Sequence, residues 1–98
     1  MAAIQYSETA TDYEVAITLA NTEYYLDIPP GTKAIEVQAR GAVDIRHSFV
    51  TGKVAGSVAP YRTLKSGGVY AKDGLYLGGR MYFACGTGSQ VVEVRAWR

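Results

Sequence analysis

Residues Ala34 to Val50, AIEVQARGAVDIRHSFV, alternate apolar and polar side chains almost without interruption on both sides of one glycine. Ile35, Val37 and Ala39 fall on one parity and Glu36, Gln38 and Arg40 on the other; beyond Gly41, Val43, Ile45, His47 and Phe49 oppose Asp44, Arg46 and Ser48. A repeat of two belongs to a pleated strand, whose successive side chains leave on opposite sides. The stretch therefore requires a sheet with one packed face and one wet face. Gly41 reads as a turn or sharp bend rather than as a bulge within one long strand.

The same period recurs along the chain. Val15, Ile17 and Leu19 share a face, a turn is expected near Asn21-Thr22, and Tyr24, Leu26 and Ile28 share a face of the return strand. Pro29-Pro30-Gly31 closes that strand, because proline removes a donor and fixes φ while glycine permits the reversal. Thr51 to Pro60 is small, glycine-bearing and unpatterned, an open loop of the kind that carries specificity. Short strands follow at Tyr61–Leu64 and Val69–Ala71, a tight turn at Lys72-Asp73-Gly74, and a brief strand around Leu75 and Leu77. Met81–Cys85, a turn over Gly86–Ser89, and Val91–Trp97 complete the pattern, with Val92, Val94 and Ala96 on one face of the last strand. No segment shows helical periodicity. The expected fold is all-β, an antiparallel β-sandwich of about eight short strands, jelly-roll-like. Residues 1–12, without sustained alternation, read as an extended N-terminal arm, and residues 13–98 as a single domain.

Length and charge narrow the function. A chain of 98 residues has material for one core. Ten basic and nine acidic residues, scattered singly, form no charge run that would seek a phosphate backbone or an anionic membrane, so neither nucleic acid nor membrane is an expected partner. Cys85 is the sole cysteine, so no internal disulfide forms and stability must come from packing or assembly. The start, MAAIQYSE, lacks the basic head and apolar core of a signal peptide, which points to folding in a cytoplasm, and the last strand runs to Trp97-Arg98, a terminus expected to be held in place.

Candidate chemistry is sparse. His47, the sole histidine, has inward parity between Ile45 and Phe49 and reads as packing rather than as a general base. Ser48 points to the opposite face and cannot exchange a proton with it. A Cys85–His47 dyad would need neighbouring strands and a third group to orient the base; Cys85 reads more simply as a small buried hydrophobe. Gly67-Gly68 and Gly78-Gly79 lack the strand–loop–helix setting of a phosphate cradle and read as turns. Asp12, Asp27, Asp44 and Asp73 are dispersed, so neither a metal nor a cofactor is expected, and no residue is assigned a catalytic role.

Aromatic residues are the remaining handle. Tyr25 is opposite in parity to Tyr24 and Leu26, and Trp97 to Val94 and Ala96, so both should project outward, where aromatic rings mark partner surfaces or sugar platforms. The residues expected to bind a partner are Ile4, Tyr6 and Tyr13 at the start of the chain, Tyr25, Lys53, Val54 and Val58 in the loop region, Tyr76 and Trp97.

The phrases Ile28-Pro29-Pro30-Gly31-Thr32, Asp44-Ile45-Arg46-His47-Ser48-Phe49, Tyr61-Arg62-Thr63-Leu64-Lys65-Ser66-Gly67-Gly68, Asp73-Gly74-Leu75, Met81-Tyr82-Phe83-Ala84 and Val91-Val92-Glu93-Val94 extend over most of the chain. With them, residues Tyr13 to Arg98 resemble a group of small all-β virion proteins of tailed bacteriophages, although His47 stands where such sequences carry tyrosine. The resemblance implies a non-enzymatic structural protein, a capsid decoration or cement protein that binds the major capsid protein and stabilises the head. It also implies homo-oligomers, trimers above all, assembled in the host cytoplasm and located in the virion. A tail or neck accessory, or a host-adhesion module binding carbohydrate through Tyr25, Tyr76 or Trp97, are the alternative expectations.

Overall fold

The computed structural model describes residues 10–73 and 79–98. They form eight strands: β1 (Ala10–Ile17), β2 (Tyr24–Ile28), β3 (Ala34–Ala39), β4 (Ile45–Ser48), β5 (Arg62–Leu64), β6 (Val69–Asp73), β7 (Gly79–Cys85) and β8 (Gln90–Trp97). The first sheet has the order β1-β8-β3-β6 and the second β2-β7-β4-β5, with every pairing antiparallel. The chain changes sheet after nearly every strand, and only β4 and β5 are consecutive partners. This winding of two four-stranded sheets is the jelly roll, or double-stranded β-helix.

That winding corrects one expectation. The turns around Asn21 and Gly86–Ser89 are not hairpins but arches between sheets, because β1 pairs with β8 and β2 with β7. A period of two states which side of a strand is buried, not which strand lies beside it. The bend at Gly41 likewise carries the chain from β3 in one sheet to β4 in the other.

Between the sheets lies one cluster. Ile17, Ile35, Val37 and Val92 from the first sheet meet Ile45, Met81, Phe83 and Cys85 from the second, all essentially excluded from solvent. Burial of this parity is worth about 25 cal/mol per Å² of apolar surface, the main favourable term available to a chain without a disulfide. The inward pattern stops where the strands stop. Leu19 is 61% exposed and Phe49 51% exposed, against expectation, because β1 ends at Ile17 and β4 at Ser48, and parity has no meaning beyond a pleated backbone.

Two further boundaries move. β1 begins at Ala10, taking Ala10–Asp12 out of the expected arm: Asp12 stands in register with Arg95, whose Nε donates to its carboxylate at 2.6 Å. Small and polar residues on both parities hid this part of the strand. At the other edge, β6 continues through Lys72 to Asp73, where a turn was expected.

Sequence chemistry and geometry agree at the turns. Thr32 N–H donates to Pro29 O across a turn with Gly31 at φ +81°, and Thr32 Oγ1 donates to the same oxygen at 2.6 Å. Proline at the second position and positive φ at the third define a type II turn. Lys33 N–H then donates to Trp97 O at 2.7 Å, tying the end of β8 to the start of β3.

The segment Thr51–Pro60 departs furthest from expectation. It folds back across the outer face of the second sheet and is fastened there. Arg46 projects outward from β4, and its Nε donates to Val54 O at 2.6 Å while Nη2 donates to Asn21 Oδ1 at 2.8 Å and Ala55 O at 3.4 Å. Glu23 accepts from Thr51 Oγ1 at 2.9 Å and from Gly52 N–H at 2.8 Å, and Ser48 Oγ donates to Pro60 O at 3.0 Å. Under this cover Ser48, and Ala84 in register with Arg46, are buried although both have outward parity. Replacing Arg46 by Ala leaves two loop carbonyls without their charged donor; it should lower stability by about 2 kcal/mol and open the Thr51–Pro60 segment to limited proteolysis. Urea unfolding and protease mapping check both, and Arg46→Lys should not restore either, since a single ammonium cannot reach carbonyls and Asn21 together.

Candidate partner-binding face

The two outer faces differ in kind. On the first sheet, outward residues form rows across the strands: Ala10, Trp97 and Ala34; then Asp12, Arg95 and Glu36; then Glu14, Glu93 and Gln38. The last row would bring two carboxylates together, and Arg40 resolves the repulsion, with Nη2 at 3.0 Å from Glu14 Oε1 and 3.1 Å from Glu93 Oε2. Gln38 Nε2 donates to Glu93 Oε1 at 2.9 Å, and Arg95 grips Asp12 through Nε at 2.6 Å and Nη2 at 3.1 Å. These bonds act on the protons as expected. The guanidinium of Arg95 holds the Asp12 carboxyl below its ordinary value, Gln38 and then Arg40 do the same for Glu93, and the carboxylates raise Arg40 and Arg95 in return. The pairs are solvent-exposed, so they order the surface more than they stabilise the fold.

The second sheet presents rings. Tyr25 on β2 is 54% exposed and stands in register with the outward Tyr82 on β7, their ring centroids 6.4 Å apart at 57°. Arg80 lies with its guanidinium carbon 4.0 Å from the centre of the Tyr25 ring, while its Nε donates to Asp27 at 2.8 Å. This is a cation–π stack held in place by an ion pair. Beside it the loop over the sheet exposes Phe49, Val50 and Val58 at 51%, 46% and 50%.

Of the residues expected to bind a partner, Ile4, Tyr6 and Tyr76 lie outside the described residues. Tyr25 and Val58 are exposed on the second-sheet side, as a partner surface requires. Lys53 is half-buried, and its carbonyl accepts from Val58 N–H at 2.8 Å. One assignment is overturned: Val54 is fully buried beneath the folded-back loop and offers no side chain to a partner. Tyr13 has inward parity and packs against the core at the sandwich edge, half-buried there. Trp97 is half-buried on the opposite face, in register with Ala10 and Ala34, and so belongs to a different surface from Tyr25.

Sequence reasoning missed Tyr82, Arg80, Phe49 and Val50 as surface residues. Tyr82 was recoverable from its parity opposite to Met81 and Phe83; Phe49 was not, because parity assigned it inward.

His47 occupies the packed space between sheets, its ring centroid 5.0 Å from that of Tyr70 on β6. β4 and β7 are neighbours, as a dyad with Cys85 would need, but the register sets Cys85 against Ile45 and His47 against Phe83. The Cys85 thiol instead accepts from Thr87 N–H at 3.4 Å. Among the described residues, no group of three His, Cys, Asp or Glu side chains is placed to hold a metal ion.

No protein-family model and no curated protein sequence matches the chain. Among solved structures, the solution NMR structure of a de novo designed double-stranded β-helix is similar, with 18% identity and a TM-score of 0.51 over 95% of this chain and 100% of that one. At that identity the likeness shows the fold alone, and it agrees with the strand order.

Burial, and secondarily the charge of Arg62, push the His47 imidazole below its ordinary 6.5. The unfolded chain then takes up the proton first, so the stability contributed by neutral His47 is complete above 6.5 and is lost as the pH falls toward the depressed folded value. The urea midpoint should therefore fall between about pH 7.5 and about pH 5.5, and fall less in His47→Gln.

Proposed function

We propose that the chain is a non-enzymatic structural protein of a tailed-bacteriophage particle, a decoration protein that attaches to the capsid through the outer side of its second sheet. The observation that carries the attachment surface is the gathering of Tyr25, Phe49, Val50 and Val58, four of the six large exposed hydrophobic residues among those described, on that sheet and the loop fastened across it. Apolar and aromatic side chains held on a rigid support, with an arginine beside them, have the composition of an interface centre. Immobilisation of the loop by Arg46 and Glu23 lowers the ordering cost of association. The virion setting is drawn from the sequence phrases named above, and the jelly roll suits it, being a fold used in viral capsids among other places.

On this reading the domain has a small core and no disulfide, and it gains stability by burying its aromatic side against capsid protein or neighbouring copies, as a trimer. Binding of purified protein to particles lacking it is the direct test. Tyr25→Asp and Val58→Asp should each weaken co-sedimentation with heads by about thirtyfold or more while leaving the circular dichroism spectrum unchanged. Unaltered binding of both variants would refute attachment through this face; recovery of the protein on tails would replace the head assignment by the tail or neck one.

A further inference from the structure

From the ordered polar rows beside Trp97, we infer that the outer face of the first sheet is a binding site for uncharged oligosaccharide. A trough of about 210 Å³ runs over Asp12, Glu36, Gln38, Glu93 and Arg95. A second depression of about 270 Å³ shares Glu36 and continues to Trp97, Ala34 and Lys72. The half-buried indole of Trp97 is flanked in its row by the methyl groups of Ala10 and Ala34 alone, so no tall neighbour on β1 or β3 covers it. The next two rows carry planar polar groups, and two residues of strand separate each row from the next. From Trp97 to Glu93 is therefore about 13 Å, the reach of two or three pyranose rings.

The chemistry selects the ligand class. Four carboxylates, Asp12, Glu14, Glu36 and Glu93, face two guanidinium groups, Arg40 and Arg95, and the residual negative charge opposes phosphates and uronic acids. A protein interface would call for several exposed apolar anchors; this face carries only Val69, at its β6 edge, whereas Tyr25, Phe49, Val50 and Val58 lie on the side of the other sheet. Sugar hydroxyls, which donate and accept at once, match carboxylate, amide and guanidinium groups that retain unused acceptor and donor positions after bonding to one another. Those groups are already oriented: Asp12 by Arg95, Glu93 by Gln38 and Arg40. Little further side-chain ordering is then lost on binding. Glu36, common to both depressions, stands beside Arg95 and acts on its charge without a hydrogen bond to it, so its carboxylate keeps acceptor positions next to the ring. The apolar face of a pyranose would stack on the indole while its hydroxyls reach the Glu36 row.

This inference does not depend on capsid attachment, since the two faces lie on opposite sides of the sandwich and are read by different measurements. Trp97 is the sole tryptophan, so its emission reports the site directly. The purified chain is titrated with cellohexaose, maltohexaose, mannohexaose and chitotetraose, with hexagalacturonate as the anionic comparison. At least one neutral sugar should give a saturable change in emission, weakened about tenfold by Trp97→Ala in calorimetry and about fivefold by Glu36→Ala in fluorescence. The Glu36→Ala variant alters only the surface and decides the matter if Trp97→Ala fails to fold. Silence of every neutral sugar at millimolar concentration, tighter binding of hexagalacturonate, or equal affinity in Glu36→Ala overturns the inference.

Discussion

Burial of one parity of strand residues between two sheets is the constraint on which everything else depends. The chain crosses from one sheet to the other after nearly every strand, so each of its arches must deliver the next strand with its apolar side facing inward. Ile35 and Val37 before Gly41, and Ile45 and His47 after it, satisfy that demand from opposite sheets. With no disulfide among these elements, closure of the sandwich rests on this packing, assisted by arches whose backbone groups are bonded, as where Asn21 N–H donates to Cys85 O.

The long alternating stretch revealed its strands because charged and amide side chains are costly at the packed parity: Glu36, Gln38, Asp44 and Arg46 leave only one inward assignment. Strand partners were not legible, since β7 beside β2 and β8 beside β1 present the same alternation as hairpins would. Nor was the burial of Val54, which depends on a side chain of β4 capturing loop carbonyls across several residues. That capture is tertiary, and Thr51–Pro60 contains no periodicity from which to infer it. Of the candidate surface, Tyr25 was visible through parity with its neighbours, whereas Arg80 gained meaning only when register set it beside Asp27 and over the Tyr25 ring.

The asymmetry between faces follows from what each outward residue meets. On the first sheet the strand register brings opposite charges together, and where it brings Glu14 against Glu93, Arg40 reaches in from the bend just after β3, so most of the surface charges are paired. On the second, the chain lays its own loop across the polar part of the sheet and leaves the rings beside it in water. One sandwich thus carries two surfaces of different appetite, a wet charged one and a rigid apolar one.

The carboxylates of β1 have a consequence for how copies of the chain can meet. β1 is an edge strand of eight residues, without proline, glycine or lysine, and among the described residues nothing pairs with its outer side. Such an edge invites a second copy to extend the sheet. In an antiparallel junction centred on Tyr13, however, Asp12 of each copy would stand opposite Glu14 of the other, and centred on Glu14 that carboxylate would meet its own image. Like charges directly opposed across strands are repulsive. The acidic pair therefore acts as a fence along this open edge, opposing antiparallel extension of the sheet through β1.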